Sequence, residues 1–494
     1  MHGSPAETAA LPPQQTGPDA RTRDRPPAAP RPGTPWWIWA LAGGLFLVYA
    51  ALSLRTHQRF LSRSFDLGIF EQAVRSYATG RLPVSEIKGP DFPVLGDHFS
   101  PVIALLAPLY RIWPSASTLL LAQAALIAAS VLPLARWAHR ALGAPAAVVT
   151  GLCYGLSWGL ASGVGYDFHE VAFAVPLLAA SLAALGEGRM RAAACWALPL
   201  LLVKEDLGLT VAVIGLVIAW RCGPGARRTG ILVALAGAAG ALLVMTVVLP
   251  AFHPQGFDGY VASHGTEAAG GAAGGAGDSL YRMTVGLLTP ETKVATLVLV
   301  LAPTLFLAVR SPLMWVAVPT LVWRLASDNP VHWGTGYHYS LVLMPVVFAA
   351  FVDALNRRGS SPAGLRRYLL GAAGVCLLLL PAYSWWQLVQ PATWRADPRA
   401  AVAERLMDRI PDGAVVQASD NLVPHLTDRT SVSVYGWQDS RPGPQWIIVD
   451  TRVPVWRHWP LSVPAESIAL ARSRANGYAS VAEQDGFVLL SRRP

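Results

Sequence analysis

Trp36 to Leu54 reads WWIWALAGGLFLVYAALSL, nineteen residues without a charge. An α-helix needs about 20 apolar residues to cross the hydrocarbon core of a bilayer. A cleaved signal peptide would put a shorter apolar run nearer the start, so this stretch reads as an uncleaved anchor. Ahead of it, residues 1–35 are rich in Pro, Ala and Arg without periodicity, and predict a disordered cytoplasmic tail. Beyond it the apolar pattern recurs, at roughly 36–54, 116–135, 145–164, 171–186, 192–203, 207–220, 229–250, 293–309, 313–327, 339–354 and 368–387. The chain therefore predicts a polytopic α-helical membrane protein of about eleven transmembrane helices.

Composition agrees. Of 494 residues, 53% are hydrophobic and 14% charged, with mean hydropathy +0.39. Soluble domains carry roughly a quarter charged residues, so an ordinary cytosolic enzyme is excluded. Net charge is +9, yet the basic residues are scattered and three of the 39 are lysines. Nucleic-acid binders concentrate theirs on one face or tail, so no nucleic-acid partner is expected. Cys153, Cys195, Cys222 and Cys376 lie in or beside apolar runs with no CxxC pair, and read as small hydrophobes.

Charge orients the spans. With the tail inside, Arg136 and Arg140, Arg189 and Arg191, Arg221, Arg227 and Arg228, Arg310, and Arg357, Arg358, Arg366 and Arg367 all fall on one side. That is the positive-inside pattern, and it predicts a multi-pass plasma-membrane protein, N-terminus in and C-terminus out. The acids sort oppositely: Asp66, Glu71, Asp97, Asp167, Glu170, Glu205, Asp206 and Asp328 fall at outer span ends or in outer loops. Ionisable groups in such proteins usually line a cavity or pathway. A transporter places them near the midplane; these favour a site opening outward.

The multi-span domain is expected over residues 36–390, with two long outer segments, 55–114 and 252–292. The second contains the Gly-rich stretch AAGGAAGGAG (268–277), a lid or a passive linker. Residues 391–494 change character. Strand-like runs at 415–419, 431–435, 446–450 and 487–491, with helix-like runs at 398–410 and 464–473, predict a small extracytoplasmic α/β domain.

Four clusters can carry chemistry. The first is Ser64-Phe65-Asp66-Leu67-Gly68-Ile69-Phe70-Glu71-Gln72, followed by Leu95-Gly96-Asp97-His98-Phe99-Ser100-Pro101. On a helix Asp66 and Phe70 share a face, and Glu71 points about 140° away from Asp66, toward solvent. With Phe65 and Ile69 as neighbours, Asp66 is expected in low-dielectric surroundings that raise its pKa toward that of a useful base. The bland alternative is an interfacial helix whose Asp merely caps or solvates. Asp97 and His98 can bind a divalent cation, orient a hydroxyl, or simply cap the next helix. Further on come Tyr166-Asp167-Phe168-His169-Glu170 and Lys204-Glu205-Asp206, each at an outer turn. Arg324 lies apart from the inner arginines, and either clamps a phosphate or snorkels to headgroups. His332, His338 and Tyr339 follow it.

These residues resemble a family of bacterial polytopic membrane proteins defined only as a domain of unknown function. FDLGIFEQ (65–72), GDHFSP (96–101), the FHE turn (168–170), KED (204–206) and HYSLVLMP (338–345) match its recurring pattern in order, as do NLVPHLTDRTSVSVY (421–435) and WIIVD (446–450). More distantly the architecture is similar to the GT-C glycosyltransferases, including the protein mannosyltransferase and lipid A aminoarabinose transferase types. That resemblance implies a first-loop acid, a polyprenyl-phosphate sugar donor and often an outer C-terminal domain. Asp66 would then be the first-loop acid and Asp97 a second, although the usual Asp-Glu or Asp-X-Asp pattern is absent here. The implied reaction is sugar transfer at the outer face, with Asp66, Asp97 and His98 catalytic. His169, Glu170, Lys204, Glu205, Arg324 and His338 would bind substrate, with a divalent cation as possible cofactor and the acceptor open. The rival expectations are a transporter or flippase of lipid-linked envelope precursors and a non-catalytic envelope assembly protein. On the leading expectation the clustered charges line one outward-opening cavity.

Overall fold

Long apolar runs satisfy their backbone polar groups internally when wound as helix, and helix dominates the chain up to Ala382. The computed structural model describes residues 33–221, 223–260, 281, 284–359 and 361–492. The tail up to residue 32, Cys222 and the stretch 268–277 lie outside the described residues. Cys153, Cys195 and Cys376 are free thiols.

Among the described residues five helices are long and apolar enough to cross a membrane: Trp36–Gln58, Ala116–Leu142, Gly225–Phe252, His338–Arg358 and Pro362–Ala382. Ala144–Gly155 and Trp158–Gly165, bent by 41°, make a sixth if taken as one span. Other expected spans fold as shorter apolar helices, Glu170–Gly186, Met190–Leu202, Leu207–Arg221 and Pro312–Ala326. The run at 293–309 breaks at Leu305 and Phe306, both left-handed. Not every apolar run forms a full-length α-helix, because Pro199, Pro303 and Pro312 interrupt the ladder with 3₁₀ turns.

Leu207–Arg221 and Gly223–Leu243 pack back to back through small residues. A Cβ on Gly215 or Gly230 would collide with the backbone of Ala234 or Ala219. Close backbone approach through Gly and Ala is how helices associate where lipid removes the hydrophobic drive.

The segment after the first helix is structured throughout. A π-turn, Ser64–Gly68, runs into helix Ile69–Ala78, then a short antiparallel hairpin, β1 (Val84–Ser85) and β2 (Phe92–Pro93). A 3₁₀ turn, Pro101–Leu106, leads into helix Ala107–Ile112.

The C-terminal region forms a five-stranded sheet of β3 (Val415–Ala418), β4 (Ser431–Val434), β5 (Trp446–Asp450), β6 (Tyr478–Gln484) and β7 (Phe487–Arg492). Its spatial order is β4-β3-β5-β7-β6, parallel across β4, β3 and β5 and antiparallel across β5, β7 and β6. Helices Pro398–Met407 and Val463–Ala475 accompany it. Alternation sorts the faces: Ile447, Val449, Val488 and Leu490 pack with Leu470, whereas Ile448 and Leu489 join the core shared with the membrane helices. Strand β6 escaped the sequence reading because YASVAEQ is an edge strand with no buried residue, so it lacks an apolar face.

Candidate active site

The acidic turns meet at one end of the helical bundle, around a cavity of about 240 Å³. Asp66 enters from the π-turn, a local under-winding that recurs at functional positions. Its Oδ1 lies 3.1 Å from His169 Nε2, with 22% of the Asp66 side chain and 1% of the His169 side chain exposed. Asp66 stands on the cavity wall with Phe65, Ile69 and Phe70 beside it and polar groups across the remaining lining. The His169 ring stacks on His338 at 3.5 Å between centroids. Gln123 sets the His169 backbone, accepting from its N–H at 2.9 Å and donating to the Asp167 carbonyl at 2.6 Å. Asp167 itself takes a left-handed backbone, which Asp tolerates better than most residues. Its carboxylate accepts the Arg63 N–H at 2.8 Å.

The same cavity holds three cations, each paired with a carboxylate. Lys88, from the turn between β1 and β2, has Nζ 3.0 Å from Asp97 Oδ1, and Asp97 Oδ2 lies 3.0 Å from His98 Nδ1. Burial works against the His98 imidazolium, but the adjoining Asp97 carboxylate outweighs it and pushes the group up to about 9. His98 is therefore positive at neutral pH. Lys204 Nζ meets Glu170 Oε1 at 2.8 Å. Burial alone would lower its pKa, but Glu170, Glu205 and Asp206 more than offset that and raise it. Glu205 accepts the Phe99 N–H at 3.2 Å, tying the KED turn to the segment after Asp97.

Asp66, Asp97, His98, His169, Glu170, Lys204, Glu205 and His338 thus line one cavity together with Lys88. Arg324 does not reach it. Its guanidinium, 1% exposed, donates to the carbonyls of His332 (2.9 Å) and Gly334 (3.1 Å) and to Ser340 Oγ (3.1 Å). The phosphate clamp expected there is corrected: three of its donors hold the turn that carries His332, His338 and Tyr339. The divalent cation finds no ligand set either. Among the described residues no three His, Cys, Asp or Glu side chains come together in a metal-holding group, and each Asp97 oxygen already faces a cation.

A family model described as "Predicted membrane protein (DUF2079)" matches residues 56–489. The chain belongs to that family. No curated protein matches it in sequence. In structure it is similar to ArnT from Cupriavidus metallidurans bound to undecaprenyl phosphate, with TM-score 0.55 and 14% identity over 93% of this chain and 99% of that one. The apo form of the same protein gives 0.48 at 13% identity, over 92% and 99% of the two chains. The Archaeoglobus fulgidus oligosaccharyltransferase complexed with zinc and sulfate gives 0.40 at 12% identity, over 82% and 68%. The first likeness shows that this member of the family shares the fold of ArnT.

One cavity residue went unnoticed in the sequence, and one neighbouring acid was misplaced. Lys88 carried a usable signal, since lysine occurs three times in the chain and two of the three line this cavity. Glu71 was expected to face solvent and is instead fully buried. It accepts from Tyr110 Oη at 2.9 Å and from Thr427 Oγ1. Helical phase does turn it from Asp66, but the C-terminal sheet domain covers that far face. Helix periodicity reports two faces and is blind to a partner arriving some 350 residues later.

Proposed function

We propose that this protein is a GT-C-type glycosyltransferase that uses a polyprenyl-phosphate-linked sugar at the outer face of the plasma membrane. In this reading residues 36–390 form the membrane domain, residues 391–494 the extracytoplasmic domain, and the N-terminus is cytoplasmic. The sorting of Arg turns to one side supports the orientation. The observation that carries the reaction is Asp66, oriented by His169, in one cavity with Lys88, His98 and Lys204.

Chemistry follows from that pairing. Asp66 takes the proton of an acceptor hydroxyl as its oxygen bonds to the anomeric carbon of the donor sugar. The bond from that carbon to the phosphate oxygen breaks, and the polyprenyl phosphate leaves with the electron pair. A phosphate leaving group needs positive charge rather than a proton, and Lys88, His98 and Lys204 supply it. Glu170 and Asp97 hold Lys204, Lys88 and His98 in place, so little reorganisation is needed when charge develops. The prenyl tail lies against the apolar helices. That the similar fold of ArnT was solved with undecaprenyl phosphate supports this class of donor.

The test is binding of undecaprenyl phosphate to the purified protein in nanodiscs. Lys88→Ala and Lys204→Ala should each weaken it about tenfold or more, the worth of one charge-assisted contact, while Asp66→Asn leaves it nearly unchanged. Equal affinity in all four proteins would remove the phosphate site.

A further inference from the structure

The face of the Asp66 helix turned away from the cavity is gripped along its length by the sheet domain. Ser64 donates through both its backbone N–H (2.9 Å) and its hydroxyl (2.5 Å) to Asp420 Oδ1. About two turns later Thr427 donates to Glu71. Gln72 Nε2 donates to the Val432 carbonyl at 2.8 Å, and Arg75 to the carbonyls of Thr427 (3.0 Å) and Thr430 (2.7 Å). Gly68 sits where a Cβ would come 3.5 Å from Val423 and 3.6 Å from Thr427. The first N–H groups of a helical segment have no partner within it; here the one at Ser64 is satisfied by a carboxylate from the sheet domain.

Topology explains why that carboxylate is available. Asp420 follows β3, which lies between β4 and β5 with all three parallel. The chain leaves β3 to one side and returns on the other, so the carboxyl end of β3 is the switch point of the sheet. In parallel sheets this crevice is where ligands bind. In this protein the crevice is filled by the turn that carries Asp66.

Resting on the reading of Asp66 as general base, we infer that Asp420 is a positioning residue. The sheet domain uses its switch-point carboxylate to fix the register of the π-turn, and with it the direction of Asp66. The domain is then part of the catalytic apparatus and is more than a binding module appended to it. Asp420 touches no substrate and acts only through Ser64.

Two readouts test this on the full-length protein. The first is hydrogen–deuterium exchange. In Asp420→Ala, and more weakly in Ser64→Ala, amides of residues 64–72 should exchange at least several-fold faster, with helix Leu343–Arg358 unchanged. The second is a kinetic cycle. Displacing a reacting group by about 1 Å can cost up to 100-fold in rate, so Asp420→Ala should lower kcat about tenfold or more at unchanged donor KM. In an Asp66→Asn background the same change should cost nothing further. A merely structural role would lower the yield of folded protein and leave that coupling absent. Unchanged exchange at 64–72, or an equal kcat loss in both backgrounds, overturns the inference. Full turnover by Asp66→Asn overturns the base assignment instead, and the exchange result still decides whether Asp420 fixes the turn.

Discussion

Glu71 joins the first outer-segment helix to the sheet domain, and its titration should be readable in stability. Burial is the largest influence on its carboxyl. Opposed by the hydrogen bond from Thr427, helped by the charge of Asp428 and opposed again by Tyr110, it pushes the group up to about 8. In the unfolded chain the same carboxyl titrates near 4.5. Between those values the folded protein keeps a proton that the unfolded chain releases. Stability is therefore fully present below about pH 4.5 and declines as pH rises toward 8, by up to about 1.4 kcal/mol per pH unit. From pH 5 to 8 the decline amounts to about 4 kcal/mol at most. Glu71→Gln keeps the shape but cannot lose a proton; it offers one acceptor and one donor where the structure has two acceptors, for Tyr110 and Thr427. Thermal unfolding in detergent at pH 5.5 and 8.5 should show the wild-type midpoint falling several degrees more than that of Glu71→Gln. Asp167 and Asp206, pushed up to about 7 and about 6, slope both proteins alike, so the difference isolates Glu71. Parallel slopes in the two proteins would refute the buried proton.

His98 loses its positive charge as pH rises through about 9. Donor KM should climb above that pH in the wild type, and His98→Gln should start with a higher KM and show no such climb. Gly96→Ala puts a Cβ 2.6 Å from backbone atoms of Phe252 and His253, which no side-chain rotation relieves. It should displace Asp97 and abolish activity or expression, whereas Gly80→Ala, with open space but positive φ, should cost about 1 kcal/mol in stability. Arg324→Ala leaves two carbonyls and a hydroxyl without their donor. It should destabilise the protein by about 2–4 kcal/mol while raising donor KM less than Lys204→Ala does.

Much of this was legible in the chain because bilayers impose strong rules. Uncharged runs announced the apolar helices, and several of the acids left over line the cavity. The span count was less legible, since a Pro such as Pro303 shortens a helix without changing its hydropathy. The cavity lining was legible where charge was out of place: Lys204-Glu205 between apolar runs, and Asp97-His98 before a turn. Arg324 was out of place for a different reason, as a buried charge spent on three neighbouring groups. Contacts between distant segments had no local signature. Nothing near Ser64 announces Asp420, and nothing near Glu71 announces Thr427.

The central claim is that Asp66 is the base of a sugar transfer from a polyprenyl phosphate. The most direct measurement is single-turnover transfer by the purified protein, with a panel of radiolabelled polyprenyl-phosphate sugars and bacterial envelope glycans as acceptors. The account predicts transfer from at least one donor, and a rate loss of about 10²–10⁴ in Asp66→Asn with donor affinity retained. No transfer or donor hydrolysis with any sugar, or an Asp66→Asn rate equal to wild type, would contradict it.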